Sequence, residues 1–169
     1  GESQGVATDS RGRPGPMTLS LVPALASELP YLAQLSSQSL DSTLGSDALQ
    51  SYLIQQALFS LHAEGQPIGL LVQQVVLDEA ELIQILIDPL FCGRGFASSA
   101  LTHWHRGLAL QGVSRVVLEV RQTNMPALAL YQRAGYQSVG MRKNYYHYAD
   151  SLVDAWVMAL NLPAGPQGA

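Results

Sequence analysis

The sequence of 169 residues predicts one α/β (or α+β) domain built on a mixed sheet, and three observations carry that prediction. Short apolar runs of strand character alternate with segments of helical period. Gly, Pro, Asn and Asp punctuate nearly every junction between them. Hydrophobic residues make up 47% of the chain against 13% charged, with a mean hydropathy of +0.11, which is enough for one buried core without metal or disulfide help.

The elements follow in order. Residues Gly1–Pro16 are rich in Gly, Ser and Pro and read as a flexible leader or a cloning remnant, with Met17 as a natural start. Met17–Val22 alternates as a first strand, and Ser27 is placed to cap a helix running to Ser37. A second helix is expected from Ser46 or Asp47 through Leu58, because Leu49, Leu53 and Ala57 share one face. Phe59–Ala63 and Pro67–Leu77 flank Glu64-Gly65-Gln66 as a hairpin, and Ala80–Ile87 follows as a strand stopped by Asp88-Pro89. Gly95–Gln111 is a helix closed by Gly112, and Val113–Val120 is a strand. Asn124–Ala134 is a helix with an Asn cap and an early proline, closed by Gly135. Tyr136–Arg142 and Leu152–Leu160 are the last strands. The domain is therefore expected over residues 17–162, with a structureless tail over 163–169.

Composition excludes several function classes. Nine basic residues against thirteen acidic give a net charge of −4, and no basic cluster offers the counterion release that nucleic-acid binding needs. The chain has no apolar run of eighteen residues, so no membrane span is expected. A single cysteine, Cys92, excludes an internal disulfide, and the missing secretory pattern points to the cytoplasm. His103 and His105 lie two apart on a predicted helix and face different ways, so no metal site is expected.

Three stretches carry chemistry. Ile85-Leu86-Ile87-Asp88-Pro89-Leu90-Phe91-Cys92-Gly93-Arg94-Gly95-Phe96-Ala97 reads as strand, glycine loop, helix. Such a loop can turn its N–H groups toward a pyrophosphate at a helix N-terminus, with Arg94 as an added charge, or it can be a turn that merely needs glycine. Glu119 is a carboxylate inside Val116-Val117-Leu118-Glu119-Val120. It either faces solvent at a sheet edge or is held for acid–base work. Tyr131 lies two turns along the face begun by Asn124, where a lone tyrosine is most simply a core aromatic.

Together and in this order, these stretches resemble the GNAT superfamily of N-acetyltransferases. The family's phosphate-loop pattern, Gln/Arg-x-x-Gly-x-Gly/Ala, is matched by Cys92-Gly93-Arg94-Gly95-Phe96-Ala97, with Cys92 in place of the usual Gln or Arg. Leu118-Glu119-Val120-Arg121, Asn124, Ala129-Leu130-Tyr131, Gly135-Tyr136, Arg142-Lys143-Asn144-Tyr145-Tyr146, Asp154-Ala155 and Met158-Ala159-Leu160 resemble its RimI-type branch of ribosomal-protein-alanine N-acetyltransferases. The likeness is specific from about Val75 to Leu160 and general upstream, where Ser39–Ser46 replaces the branch's Pro-Trp-Ser turn.

The resemblance implies a GNAT-type domain with a mostly antiparallel sheet and a splayed parallel strand pair, Ile85–Ile87 standing apart from Val116–Val120. It implies acetyl-CoA as co-substrate and direct transfer to a protein N-terminal amine, that of a small-subunit ribosomal protein, by a monomeric enzyme. Carried over by position, Glu119 is the general base and Tyr131 the general acid. Backbone groups of Ile85, Leu86 and Ile87 meet the pantetheine arm, Gly93, Arg94, Gly95, Phe96, Ala97 and Ser98 form the pyrophosphate loop, and Asn124 lies near the cofactor. Tyr145 and Tyr146, expected in a hairpin loop, wall the peptide groove. The competing readings are acetylation of a small-molecule amine and a catalytically silent acetyl-CoA-binding protein.

Overall fold

The structure is a computed structural model that describes residues 18–148 and 151–163, apart from the side chains of residues 145–148 and 151. The expected leader, and the tail beyond Pro163, lie outside the described residues.

The chain runs β1 (Leu19–Pro23), α1 (Leu29–Ser37), α2 (Ser46–Ile54), β2 (Leu58–Ala63), β3 (Gln66–Val76), β4 (Glu79–Ile87), α3 (Phe96–Leu110), β5 (Arg115–Arg121), α4 (Met125–Arg133), β6 (Gln137–Tyr148) and β7 (Ser151–Asn161). The strands form one seven-stranded sheet in the order β1-β2-β3-β4-β5-β7-β6. Every neighbouring pair is antiparallel except β4 and β5, so the predicted mixed, mostly antiparallel sheet is what the chain forms. Its parallel pair is bridged by α3, as a crossover connection requires.

Helices cover both faces. The stripe Phe96, Ala100, Leu101, Trp104 and Leu108 buries α3 against Leu61, Leu71, Val116 and Leu118, the spacing of a core-facing helix. Leu32, Leu35 and Leu49 of α1 and α2 pack on Leu58, Leu70 and Val72 across the other face. Neighbours in β3 thus serve opposite layers, as the two-residue period of a strand dictates.

Local chemistry corrects the sequence reading in four places. Ser27 does not cap α1: a short 3-10 turn, Ala26–Glu28, precedes it, and the Glu28 carboxylate accepts the Leu25 N–H at 2.9 Å. The second helix stops at Ile54 rather than Leu58. Gln56 adopts φ +58°, and Leu58 opens β2, buried; Ala57 met the helical period by coincidence of spacing. Leu77 belongs to the β3–β4 turn, at φ +57°, rather than to the strand. Finally, β6 continues to Tyr148, so the backbone of Tyr145–Tyr148 is strand, not hairpin loop. Two extra residues between Arg142↔Ala155 and Tyr146↔Val153 make a bulge there, with Asn144 at φ +57° and its N–H bonded to Asp154 Oδ1 at 2.9 Å.

Candidate active site

The site begins as a failure of strand pairing. Parallel pairing of β4 with β5 runs from Glu79↔Arg115 to Leu82↔Leu118 and stops there. The split is therefore narrower than expected: Val116–Leu118 remain paired, and the open stretch is Ile83–Ile87 opposite Glu119–Arg121. On its other side β4 steps from Leu82↔Gln73 to Gln84↔Val72, so Ile83 is the extra residue of a β-bulge. Bulges bend a strand and break its ladder. Gly69 of β3 takes up the bend, because a Cβ there would collide with the Leu86 carbonyl.

Beyond the split, Asp88 anchors the turn into α3. Its carboxylate accepts the Leu90 N–H at 3.0 Å and the Tyr31 hydroxyl at 2.8 Å. Burial, followed by that carboxylate, pushes the Tyr31 phenol well above its usual range. Gly93 and Gly95 both sit at φ +79°, a conformation that a side chain disfavours. A Cβ at either would enter open space. The first-turn N–H groups of α3, which have no intrahelical acceptor, open onto the same space. Cys92 donates its thiol to the Ile87 carbonyl at 3.7 Å.

Two hollows meet here. A cleft of about 560 Å³ is walled by Ile85–Ile87, by the loop and first turn of α3 (Phe91–Gly93 and Gly95–Ser98), and by α4 from Asn124 through Tyr131 to Arg133. A smaller hollow of about 100 Å³ lies behind it and holds Glu119, Arg121, Asp41 and Ser39. Ile85, Leu86, Asn124, Ala127 and Tyr131 line both. A third hollow, about 330 Å³, adjoins the smaller one along Asp41, Gln84 and Glu119 and reaches Thr43 and Glu81.

Of the expected residues whose side chains are described, all but Arg94 line these hollows. Arg94 is not among the cleft's lining residues, and its guanidinium lies 5.6 Å from the centre of the Phe91 ring. Glu119 lies on an interior strand, β5 standing between β4 and β7, one residue past the end of its pairing with β4; its side chain is 21% exposed, with Oε1 accepting from Arg142 Nη1 at 2.7 Å. Tyr131 is buried, its ring set edge-on to Tyr136 at 5.7 Å. Asn124 caps α4 by accepting the Ala127 N–H at 3.2 Å. The side chains of Tyr145 and Tyr146 lie outside the described residues.

Several residues of the site escaped the sequence reading: Asp41, Glu81, Arg142, Phe91 and Gly69. Asp41 had a weak signal, being the one acid within Ser39–Ser46. Glu81 had none, since its character comes from position: burial first, then the charges of Glu119 and Glu79, raise its pKa.

The site thus sets a glycine turn at a helix N-terminus beside a parallel strand pair opened by a bulge. The sequence profile of the acetyltransferase (GNAT) family matches residues 29–136. The chain belongs to that family. The acetyltransferase is 39% identical over 102 residues to the [ribosomal protein bS18]-alanine N-acetyltransferase of Escherichia coli K12, a match covering 60% of this chain and 69% of the relative. The crystal structure of the ribosomal-protein-S18-alanine N-acetyltransferase from Escherichia coli superposes with a TM-score of 0.79 at 29% identity, covering 90% of this chain and 99% of that one. The spermidine N-acetyltransferase of Vibrio cholerae, solved with CoA and spermine, shares the fold at TM-score 0.74 and 19% identity, covering 85% of this chain and 95% of that one.

The protein is therefore an acetyl-CoA-dependent acetyltransferase, and its cleft fits that co-substrate on its own evidence. Two left-handed glycines leave the loop end of the cleft open, as a pyrophosphate would require, and a wall of Ile85–Ile87, Phe96, Ala97 and Leu130 suits an extended, largely apolar arm. Among the described residues, no helix is long and apolar enough to cross a membrane.

Proposed function

We propose that this acetyltransferase modifies the N-terminal α-amine of a protein, a ribosomal small-subunit protein beginning with alanine, by direct attack within a ternary complex. The observation that carries the reading is the meeting of the two hollows: Tyr131 lines both, and Glu119 stands in the smaller one. One hollow has the form of a cofactor cleft, the other of an acceptor entrance, and a carboxylate and a phenol attend their junction. The acceptor class rests on the likeness to the bS18-alanine N-acetyltransferases.

In this reading the Gly93–Ser98 loop and the start of α3 hold the pyrophosphate, and the unpaired edge of Ile85–Ile87 pairs with the pantetheine arm. Acetyl-CoA supplies an acetyl group activated as a thioester. Glu119, directly or through water, takes a proton from the acceptor ammonium, and the freed nitrogen forms the new C–N bond. A backbone N–H of the split steadies the charge gathering on the carbonyl oxygen. As the C–S bond breaks, the Tyr131 hydroxyl gives its proton to the leaving sulfur. The second proton of the acylated nitrogen, released as the amide forms, passes through solvent to restore the phenol, while Glu119 gives the first to water. No covalent enzyme intermediate is needed, so the lack of a Cys–His pair at the junction among the described residues is no obstacle.

Base strength favours a terminus over a lysine. An α-amine of pKa about 7.8 is roughly one-seventh neutral at pH 7, while a lysine near 10.4 is neutral well under one part in a thousand. The carboxylates of Glu81 and Glu119 at the outer hollow suit a basic tail behind the first residue. The test is incubation with acetyl-CoA and a panel of N-terminal peptides, lysine peptides and polyamines, read by mass shift. Alanine-first peptides with basic residues following should be acetylated fastest. A spermine or lysine-peptide rate above that of every N-terminal peptide would replace this acceptor class with a small amine.

A further inference from the structure

We infer that Asp41 is a positioning residue: it latches the loop between α1 and α2 to the open mouth of the sheet and so sets which first residues the acceptor groove admits. The inference deepens the N-terminal acetyltransferase reading and rests on it.

Asp41 spends both carboxylate oxygens across the site. Oδ1 accepts from Arg121 Nε at 2.7 Å, and Oδ2 accepts from Asn124 Nδ2 at 3.0 Å. Arg121 ends β5 and lies on the same strand face as Glu119, two residues earlier. Asn124 is held at its other end by the cap on α4, since its carbonyl oxygen takes the Ala127 N–H. Its amide is thereby oriented, the NH₂ aimed at Asp41. One acid thus joins three pieces: the acceptor-side loop, the strand of the candidate base, and the helix that carries Tyr131.

The loop behind Asp41 is firm in itself. The buried Ser36 hydroxyl bonds the Ser42 hydroxyl at 2.5 Å and the Leu44 carbonyl at 2.6 Å, and Ser39 Oγ accepts the Asp41 N–H at 3.3 Å. A loop braced on one side and latched on the other is a wall of fixed position. That wall faces both acceptor-side hollows, which share Asp41, Glu119 and the bulged stretch of β4. The space beside Glu119 that a first side chain must occupy is therefore gauged by where Asp41 holds the loop. Charge-assisted hydrogen bonds of this kind are the stronger ones and are geometrically selective. An approach misplaced by an ångström is costly to rate.

The experiment compares the full chain with D41A and D41N, measuring acetyl-CoA Kd by calorimetry and steady-state kinetics on alanine-first and leucine-first peptides of otherwise identical sequence. In D41A the KM for the alanine-first peptide should rise about tenfold, while acetyl-CoA Kd stays within about twofold. The preference for alanine over leucine should narrow by several-fold, a change that uniform loss of folded enzyme would not produce. Should D41A fail to fold by circular dichroism, D41N keeps the shape and one acceptor oxygen and reads the same split at about threefold. Peptide acetylation with KM and first-residue preference unchanged in the folded variant overturns the inference alone. So does a fall in acetyl-CoA affinity that parallels the rise in KM. An unmodified enzyme that acetylates no N-terminal peptide overturns the acceptor reading and takes this inference with it.

Discussion

Replacing Glu119 by glutamine separates the charge of that side chain from its shape. The Oε1 atom that meets Arg142 Nη1 at 2.7 Å has an amide counterpart able to accept the same hydrogen bond, so the side chain should stay where it is. The Arg142 side chain is 54% exposed, and a pair so open to solvent contributes no more than about 1 kcal/mol to stability. The folded state should therefore survive nearly intact. The rate should not: losing a positioned proton acceptor costs about 10²–10⁴-fold, or roughly 2.7–5.4 kcal/mol of barrier at 1.36 kcal/mol per decade. The pH dependence carries the diagnosis. An α-amine of pKa about 7.8 goes from one-seventh neutral at pH 7 to nine-tenths at pH 8.8, so the residual rate of Glu119→Gln should recover about sixfold over that span. Thiol release from acetyl-CoA, checked by mass shift of the peptide, reads the rate, and calorimetry reads acetyl-CoA binding. A variant within tenfold of the unmodified enzyme at pH 7 would refute the assignment of the base. A slow variant that has also lost acetyl-CoA affinity would refute the separation of charge from shape.

Other substitutions probe the remaining parts. Tyr131→Phe keeps the edge contact with Tyr136 and removes the proton donor, so kcat should fall by about 10²-fold or more with the melting temperature little changed; full activity would return the residue to a packing role. Gly95→Val puts a branched side chain at φ +79°, which should cost roughly 1–2 kcal/mol of stability and weaken CoA binding by more than tenfold in calorimetry. Stability should also depend on acid in a defined way. Burial raises the Glu28 carboxyl, but the Leu25 N–H, His62 and Ser60 outweigh it, and the net shift is downward. Its stabilising share is thus complete above the ordinary value near 4.5 and disappears as pH falls through the lowered one. Thermal unfolding of Glu28→Gln should converge with that of the unmodified protein only in that acid range. Glu81, shifted upward, has the opposite sign: its share is lost as pH rises, so Glu81→Gln should raise the melting temperature at pH 7 and not below pH 4.

The order of all the strands and α-helices was legible in the sequence because most boundaries carried local chemistry. Asp88-Pro89 stops β4, Gly112 and Gly135 close α3 and α4 at φ +87° and +102°, and Asn124 caps α4 as its residue type predicts. The misplaced boundary of α2 had no such marker. Gln55-Gln56-Ala57 contains no breaker, and the chain leaves the helix through a non-glycine residue at positive φ, a choice made by the burial of Leu58 in β2 and not by local propensity. The site divided along the same line. The loop, Glu119 and Tyr131 lie in contiguous motifs. Asp41 and Gly69 matter only through residues about 80 and 17 positions away, and a single sequence does not print its own contacts.

That division has a physical origin in the way the site is made. Parallel strands bridged by a helix would ordinarily stay paired to their ends, and a sheet so continuous has no cleft. Here one surplus residue, Ile83, turns β4 away from β5, and the turn is possible because Gly69 leaves room for the displaced Leu86 carbonyl. The bend strips the β5-facing edge of Ile85–Ile87 of its ladder partner. Those residues are half-buried, and in the proposed reading an extended co-substrate arm with amides of its own pairs with the backbone groups so exposed. The same bend uncovers Glu119 on the other lip of the split, two residues before the arginine that Asp41 holds. In the proposed reading, the cofactor wall and the acceptor wall are both consequences of a single irregularity. A change that closes it should remove both together: Gly69→Val, by forcing the Leu86 carbonyl back toward β5, should reduce acetyl-CoA affinity and peptide turnover in parallel. Loss of one with the other intact would show that the two walls are set independently.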